Sequence, residues 1–127
     1  GSAHLPTPYT AIGVAGSTIF VGSRSGIAAG DFADGFVIDS LRPAGGDETQ
    51  ISYVNDIEAV ALGSGGYVVY AATTTGLWYT ADQGASWSHV QVSSIWPGES
   101  EVTSVAAVKN RVYIACDGAG VAELVWQ

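Results

Sequence analysis

One order of strands and turns is written three times along this chain, and that repetition limits what it can fold into more than any other feature. The first copy runs Thr10-Ala11-Ile12-Gly13-Val14, a turn at Ala15-Gly16-Ser17, Thr18 to Gly22, and then Ser25 to Ala29. The second runs Glu58 to Leu62, a turn at Gly63-Ser64-Gly65-Gly66, Tyr67 to Ala72, a turn at Thr73 to Gly76, Gly76 to Tyr79, and a fourth strand over Ser86 to Val92. The third runs Thr103 to Ala107, a turn at Lys109-Asn110, Arg111 to Cys116, and Gly120 to Val125. Gly26, Gly76 and Gly120 fall at matching places, 50 and 44 residues apart. Short apolar runs punctuated by Gly, Ser, Thr and Asn are the signature of hairpins. Regular recurrence at this interval marks an array of similar small sheets within one domain over 1–127, with repeats at about 9–40, 57–92 and 102–127.

The middle repeat carries a sharper signal. Thr80-Ala81-Asp82-Gln83-Gly84-Ala85-Ser86-Trp87 places a tight polar turn between the aromatic run Leu77-Trp78-Tyr79 and the returning Ser88-His89-Val90. Asp82 can accept hydrogen bonds from backbone N–H groups just beyond it, and Gly84 supplies a position hostile to a Cβ. Trp87 brings a large ring to the start of the return strand. Residues 80–87 resemble the Asp-box, or BNR repeat, Ser/Thr-x-Asp-x-Gly-x-Ser/Thr-Trp, with Thr80, Asp82, Gly84, Ser86 and Trp87 at its five fixed positions. The resemblance implies a β-propeller like those of sialidases, xyloglucanases and sortilin-type receptors, with the box on the hairpin between the two outer strands of a blade. It also implies a structural role for these five residues, away from the ligand face.

The repeat interval brackets the roughly 40–50 residues of a four-stranded propeller blade. First strands built from small apolar residues, as in Ile12-Gly13-Val14, Val60-Ala61-Leu62 and Val105-Ala106-Ala107, suit strands that converge on a narrow axis. Periodicity alone also fits a β-sandwich of short strands; box and repeat together favour blades. The first repeat has an eroded box at Gly30-Asp31-Phe32-Ala33-Asp34-Gly35-Phe36, with Phe36 to Asp39 as its outer strand, and the third has three strands and no box. About three blades fall short of the four to eight that close a ring. The chain is therefore expected to complete its ring with further copies of itself or with the remainder of a longer propeller. Lacking Met and opening with Gly1-Ser2, it reads as a processed or excised segment.

Composition narrows the partners. Apolar residues make up 47% and charged residues 13%, a profile that fits a tightly turned all-β domain. The net charge of −8 opposes nucleic acid and anionic membrane as partners, since both demand a basic surface. No run long enough to insert in a membrane is present. Cys116 is the only cysteine and sits in an apolar strand, where it is expected to pack as a small hydrophobe. The expected compartment is extracellular or periplasmic.

Two connections are long, residues 41–56 and 92–101. On a rigid scaffold such loops carry binding. Trp96, in Ile95-Trp96-Pro97-Gly98-Glu99, is a natural platform for a sugar ring, and Tyr53, Arg42 and Glu99 complete a candidate site for a glycan or protein ligand. Catalysis finds less support. Arg24, Arg42 and Arg111 lie in contexts unlike the arginine cluster that the sialidase resemblance would require. Asp56, Glu58, Glu99 and Glu101 are the acids that could form a glycosidase pair. No catalytic residue, metal ligand or cofactor is assigned: Asp31 to Gly35 and Asp47-Glu48 lack calcium-loop spacing, and His4 and His89 lack a zinc pattern. The expectation is a non-catalytic recognition or scaffold module, carbohydrate-binding in the favoured version; the alternative is a fragment of a sialidase-like or other glycoside hydrolase propeller.

Overall fold

Three glycines at matching places start the architecture. Gly26, Gly76 and Gly120 each open the third strand of a repeat with φ of 142°, 121° and 103°, a region where a Cβ is disfavoured. Each is paired with the last residue of the strand before it, Ser23, Thr73 and Cys116. Two residues separate the paired positions in the first two hairpins and three in the last. A computed structural model describes residues 9–24, 26–31, 42–43, 53–62, 65–90, 101–108, 111–116 and 120–125, and the side chains of 42, 43, 122, 124 and 125 are outside the description.

The described residues are all-β, without helix, in three antiparallel sheets. Sheet one contains β1 (Tyr9–Ala15), β2 (Thr18–Ser23), β3 (Gly26–Asp31) and β4 (Arg42–Pro43). Sheet two contains β5 (Val54–Ala61), β6 (Tyr67–Thr73), β7 (Gly76–Thr80) and β8 (Ser88–Val90), and sheet three β9 (Val102–Val108), β10 (Arg111–Cys116) and β11 (Gly120–Val125). Neighbours in each sheet are neighbours in sequence, so each is a simple meander.

Sheet two lies between the others and is apolar on both faces. Ile57, Val69, Ala71 and Trp87 join Ala15, Phe20, Ile27 and Ala29 of sheet one in one core. Val60, Val68, Tyr70, Ala72 and Leu77 join Val102, Val105, Val112, Ile114 and Cys116 of sheet three in another, which leaves the Cys116 thiol buried. The pleat makes this division, since successive residues of β6 point to opposite faces. First strands lead the contact between sheets, β1 against β5 and β5 against β9. Their approach is close: a Cβ on Gly22 would stand 2.4 Å from Val54 Cγ1, and one on Gly13 would stand 2.5 Å from Ile57 Cγ2.

Each sheet also carries a bulge at the same place. Register shifts between Tyr9 and Ala11 and between Val54 and Asp56, and β10 skips from Ser104 to Val102 in β9, so Thr10, Asn55 and Thr103 are the extra residues. A bulge re-aims its side chain out of the ladder. Thr10 Oγ1 lies 2.5 Å from the carbonyl of Val54, to which it donates, and Asn55 Nδ2 donates to the carbonyl of Val102 at 2.9 Å. Asp56 adds a return contact, its Oδ2 accepting the Val105 N–H at 3.0 Å. Side chains of one sheet thus bind the backbone of the next.

Two boundaries differ from the sequence expectation. The middle repeat begins at Val54, inside the stretch read as a connection. Val54-Asn55-Asp56 looks polar and aperiodic, yet the bulge at Asn55 lets Val54 and Ile57 face the same core although they are three residues apart. The strand paired with β3 is Arg42–Pro43, also in that stretch, whereas 36–39 and most of the eroded box fall outside the described residues.

The glycine approach generates a stability prediction. Gly22→Ala forces Val54 and the β5 backbone outward and should cost about 1–3 kcal/mol, read as a lower urea midpoint at unchanged slope. An unchanged midpoint would mean that the first strands are not in this close contact.

Candidate functional site

The sheets have two ends, and the sequence candidates divide between them. One end carries the β1–β2, β5–β6 and β7–β8 hairpins, the last of which spans residues 80–87. At the other end are the β2–β3 and β6–β7 turns and the starts of β5 and β9.

On the 80–87 hairpin the side chains of Thr80, Asp82 and Ser86 bond one another and the backbone of the turn. Thr80 Oγ1 donates to Asp82 Oδ1 at 2.6 Å and accepts the N–H groups of Asp82 and Gly84 at 3.3 and 3.0 Å. Asp82 Oδ1 accepts the Ser86 N–H at 3.0 Å, and Oδ2 accepts the Ser86 hydroxyl at 2.5 Å. Gln83 at φ 60° and Gly84 at φ 92° reverse the chain between them. Hydrogen bonds from Ser86, then from Thr80, hold the Asp82 carboxyl down to about 2. Such a carboxylate stays ionised near neutrality and is a poor proton donor or acceptor. Trp87, just before β8, turns into the core and meets Phe20 of sheet one edge-on, centroids 6.4 Å apart at 88°. The arrangement ties a turn to a neighbouring sheet and uses the Asp82 carboxylate as the acceptor that closes the turn.

At the opposite end, Tyr53 precedes β5, 37% exposed as a residue, its carbonyl accepting the Thr74 N–H at 3.1 Å. The Arg24 guanidinium, from the β2–β3 turn, stands 5.9 Å from the ring centroid, within cation–π range. Nearby on sheet two, Trp78 and His89 tilt against each other at 4.8 Å, and both reach Thr75: Trp78 Nε1 donates to its hydroxyl at 3.2 Å and His89 Nε2 to its carbonyl at 3.1 Å. The acids at this end are held by the scaffold. Asp56 accepts Ile57 N–H and Val105 N–H, and Glu101 Oε2 accepts Asn55 Nδ2 at 3.1 Å.

Of the four residues expected to form a binding site, Tyr53 is placed at this end, and Trp96 and Glu99 lie outside the described residues. Arg42 is placed by its backbone on β4, the outer strand of sheet one, opposite Ala29. The guanidinium found at Tyr53 is that of Arg24. In the sequence Arg24 reads only as one of three arginines outside a sialidase-like context; its turn position matches that of Thr74, whose N–H meets the Tyr53 carbonyl, and that match is the signal for this end. Among the described residues no group of three His, Cys, Asp or Glu side chains could hold a metal ion.

No protein-family profile matches the chain, and no curated protein matches it at a significant level. Among solved structures it is similar to the crystal structure of the computationally designed Ika4 protein, at 12% identity over 98% of this chain and 94% of that chain, with a TM-score of 0.46. A likeness of that size carries neither fold nor function to this chain.

The turn chemistry predicts a pH response. With Asp82 at about 2 against its ordinary 3.8, its contribution is complete above 3.8 and is lost as pH falls through 3.8 toward 2. Asp82→Asn should therefore lower the thermal midpoint at about pH 6 and close the gap to wild type as the solution is acidified. A gap that stays constant down to about pH 2 would contradict this role.

Proposed function

We propose that the chain is a non-catalytic recognition or scaffold module whose three sheets are blades of the Asp-box propeller type, with glycans as the ligand class of its inter-sheet end. Support for blades comes from the meander order of each sheet, the first-strand contacts between consecutive sheets and the box-like turn on the third-to-fourth strand hairpin of sheet two.

The observation that carries the non-catalytic reading is the engagement of the acids. Asp56, Glu101 and Asp82 all serve as acceptors for groups that define the fold. A glycosidase needs two carboxylates facing a sugar with their proton affinities tuned apart. Carboxylates spent on backbone N–H groups and on an asparagine are poorly suited to that work. Tyr53, part-exposed with the Arg24 guanidinium over its ring, puts an aromatic surface next to a hydrogen-bond donor, the composition of a sugar-binding surface. Trp96 would add a second ring from the 92–101 connection.

The test pairs binding with turnover. Neutral xyloglucan oligosaccharides and sialyllactose are titrated against tryptophan fluorescence, and chromogenic aryl glycosides are incubated with the same preparation. Saturable quenching without aryl release is the expected result, and Trp96→Ala should weaken binding by about tenfold, roughly 1.4 kcal/mol, without moving the thermal midpoint. Saturable aryl release that disappears in Asp56→Asn would overturn the reading. Absence of quenching would remove glycans and leave the scaffold role.

Asp56→Ala separates structure from chemistry. It strands the Val105 N–H and should cost about 1–3 kcal/mol in urea unfolding.

A further inference from the structure

The two outermost sheet faces are built to the same plan as the faces buried inside the molecule. Cross-strand pairs Ile12–Val21, Ile57–Ala71 and Val105–Ile114 set the three sheets in register. By this register Ile12 of sheet one matches Ile57, which is buried against sheet one, and yet Ile12 is 64% exposed. Val14 and Tyr9 on the same face are exposed too. On the far side, Val108, Tyr113 and Val121 of sheet three match Val60, Tyr70 and Leu77 of sheet two. The sheet-two residues are at most 9% exposed; their counterparts are 61%, 38% and 73% exposed. Sheet one thus presents the half of the interface that sheets two and three bury, and sheet three presents the complementary half.

Two further observations single out the partner. Thr10 and Asn55, the bulge residues of sheets one and two, each donate to the bulge carbonyl of the next sheet. Thr103 holds the same place in sheet three, and its single hydroxyl proton goes to Ala115 O at 3.0 Å, the counterpart of the Gly22 O that stands 3.2 Å from Thr10 Oγ1. The cross-sheet acceptor for that proton would be the carbonyl of Tyr9 in a following sheet one. Room for that approach is also present. Ala115 of sheet three matches Ala72 of sheet two, whose methyl is buried in the same core as Val102, so the sheet two–three contact is the precedent for an alanine at this place. The charged side chains described on this face pair with each other. Arg111 pairs with Glu123, which also accepts the Tyr113 hydroxyl, so the pair offers no net charge.

We infer that the sheet-three face of one chain docks on the sheet-one face of a second copy, head to tail, with Ile12 and Val14 against Val108, Tyr113 and Val121 and with Thr103 donating to Tyr9 O across the seam. Two chains joined this way at both seams bring twice three sheets, within the four to eight of closed rings. The inference rests on the blade-and-scaffold reading and names its partner.

Ile12 and Val121 are exposed in the single chain, so Ile12→Lys and Val121→Asp should each leave the fold intact, checked by circular dichroism. Light scattering after size exclusion across a dilution series should give wild type at twice the 13.0 kDa of one chain and each variant alone at 13.0 kDa. Mixing the two variants should restore the doubled mass, because each supplies the intact face the other lacks. Thr103→Val, which leaves the apolar faces untouched, should raise the dimer dissociation constant about fivefold to tenfold. Wild type at the single-chain mass throughout would overturn the inference, as would either charged variant remaining dimeric or a mixture that stays monomeric. Assembly with aryl glycoside turnover would instead sink the non-catalytic reading alone.

Discussion

The approach of one first strand to the next is the constraint on which this structure depends. Sheets normally stand about 10 Å apart with side chains between them. At Gly13 and Gly22 the spacing is locally shorter, with Ile57 and Val54 filling the positions where a Cβ would be. Such proximity would be costly if it buried unpaired backbone, because an unmet carbonyl or N–H in the interior loses its water without replacement. The bulges supply the missing partners. Thr10 reaches the Val54 carbonyl, Asn55 the Val102 carbonyl, and Asp56 the Val105 N–H. Packing and hydrogen bonding therefore enforce the same stagger between sheets.

Sheet two shows what that arrangement demands of composition. Having neighbours on both sides, it must be apolar on both faces, and β6 is accordingly an almost continuous run, Tyr67-Val68-Val69-Tyr70-Ala71-Ala72. Tyr70 accepts burial because its ring lies beside Tyr79, centroids 6.3 Å apart, although that surrounding pushes its phenol pKa upward through desolvation and then through Tyr79. The turn at 80–87 acts at longer range than its size suggests. Its carboxylate organises the reversal, and the reversal delivers Trp87 into the core shared with sheet one. Local turn chemistry becomes contact between sheets.

The acidic balance has a related explanation. Asp56, Asp82 and Glu101 are acceptors at places where backbone N–H groups or an amide need one, and Glu123 meets Arg111 across a strand pair. Charge that looks like surface solubility in the sequence is in part a set of fixed hydrogen-bond acceptors.

Sequence alone determined the all-β class, the threefold recurrence and the turn at 80–87. These follow from interactions between residues close in the chain: alternation of apolar side chains, positive φ at Gly26, Gly76 and Gly120, and side chains bonding backbone two to four residues away. Tertiary structure decided the start of β5 at Val54, the pairing of Arg42–Pro43 with β3, the meeting of Arg24 with Tyr53, and the roles of Thr10, Asn55 and Asp56. A bulge breaks the period of two from which strands are read, so Val54-Asn55-Asp56 looked like a connection. Asn55 and Asp56 reach partners 46 to 49 residues along the chain and Thr10 one 44 residues along, separations that no local pattern records.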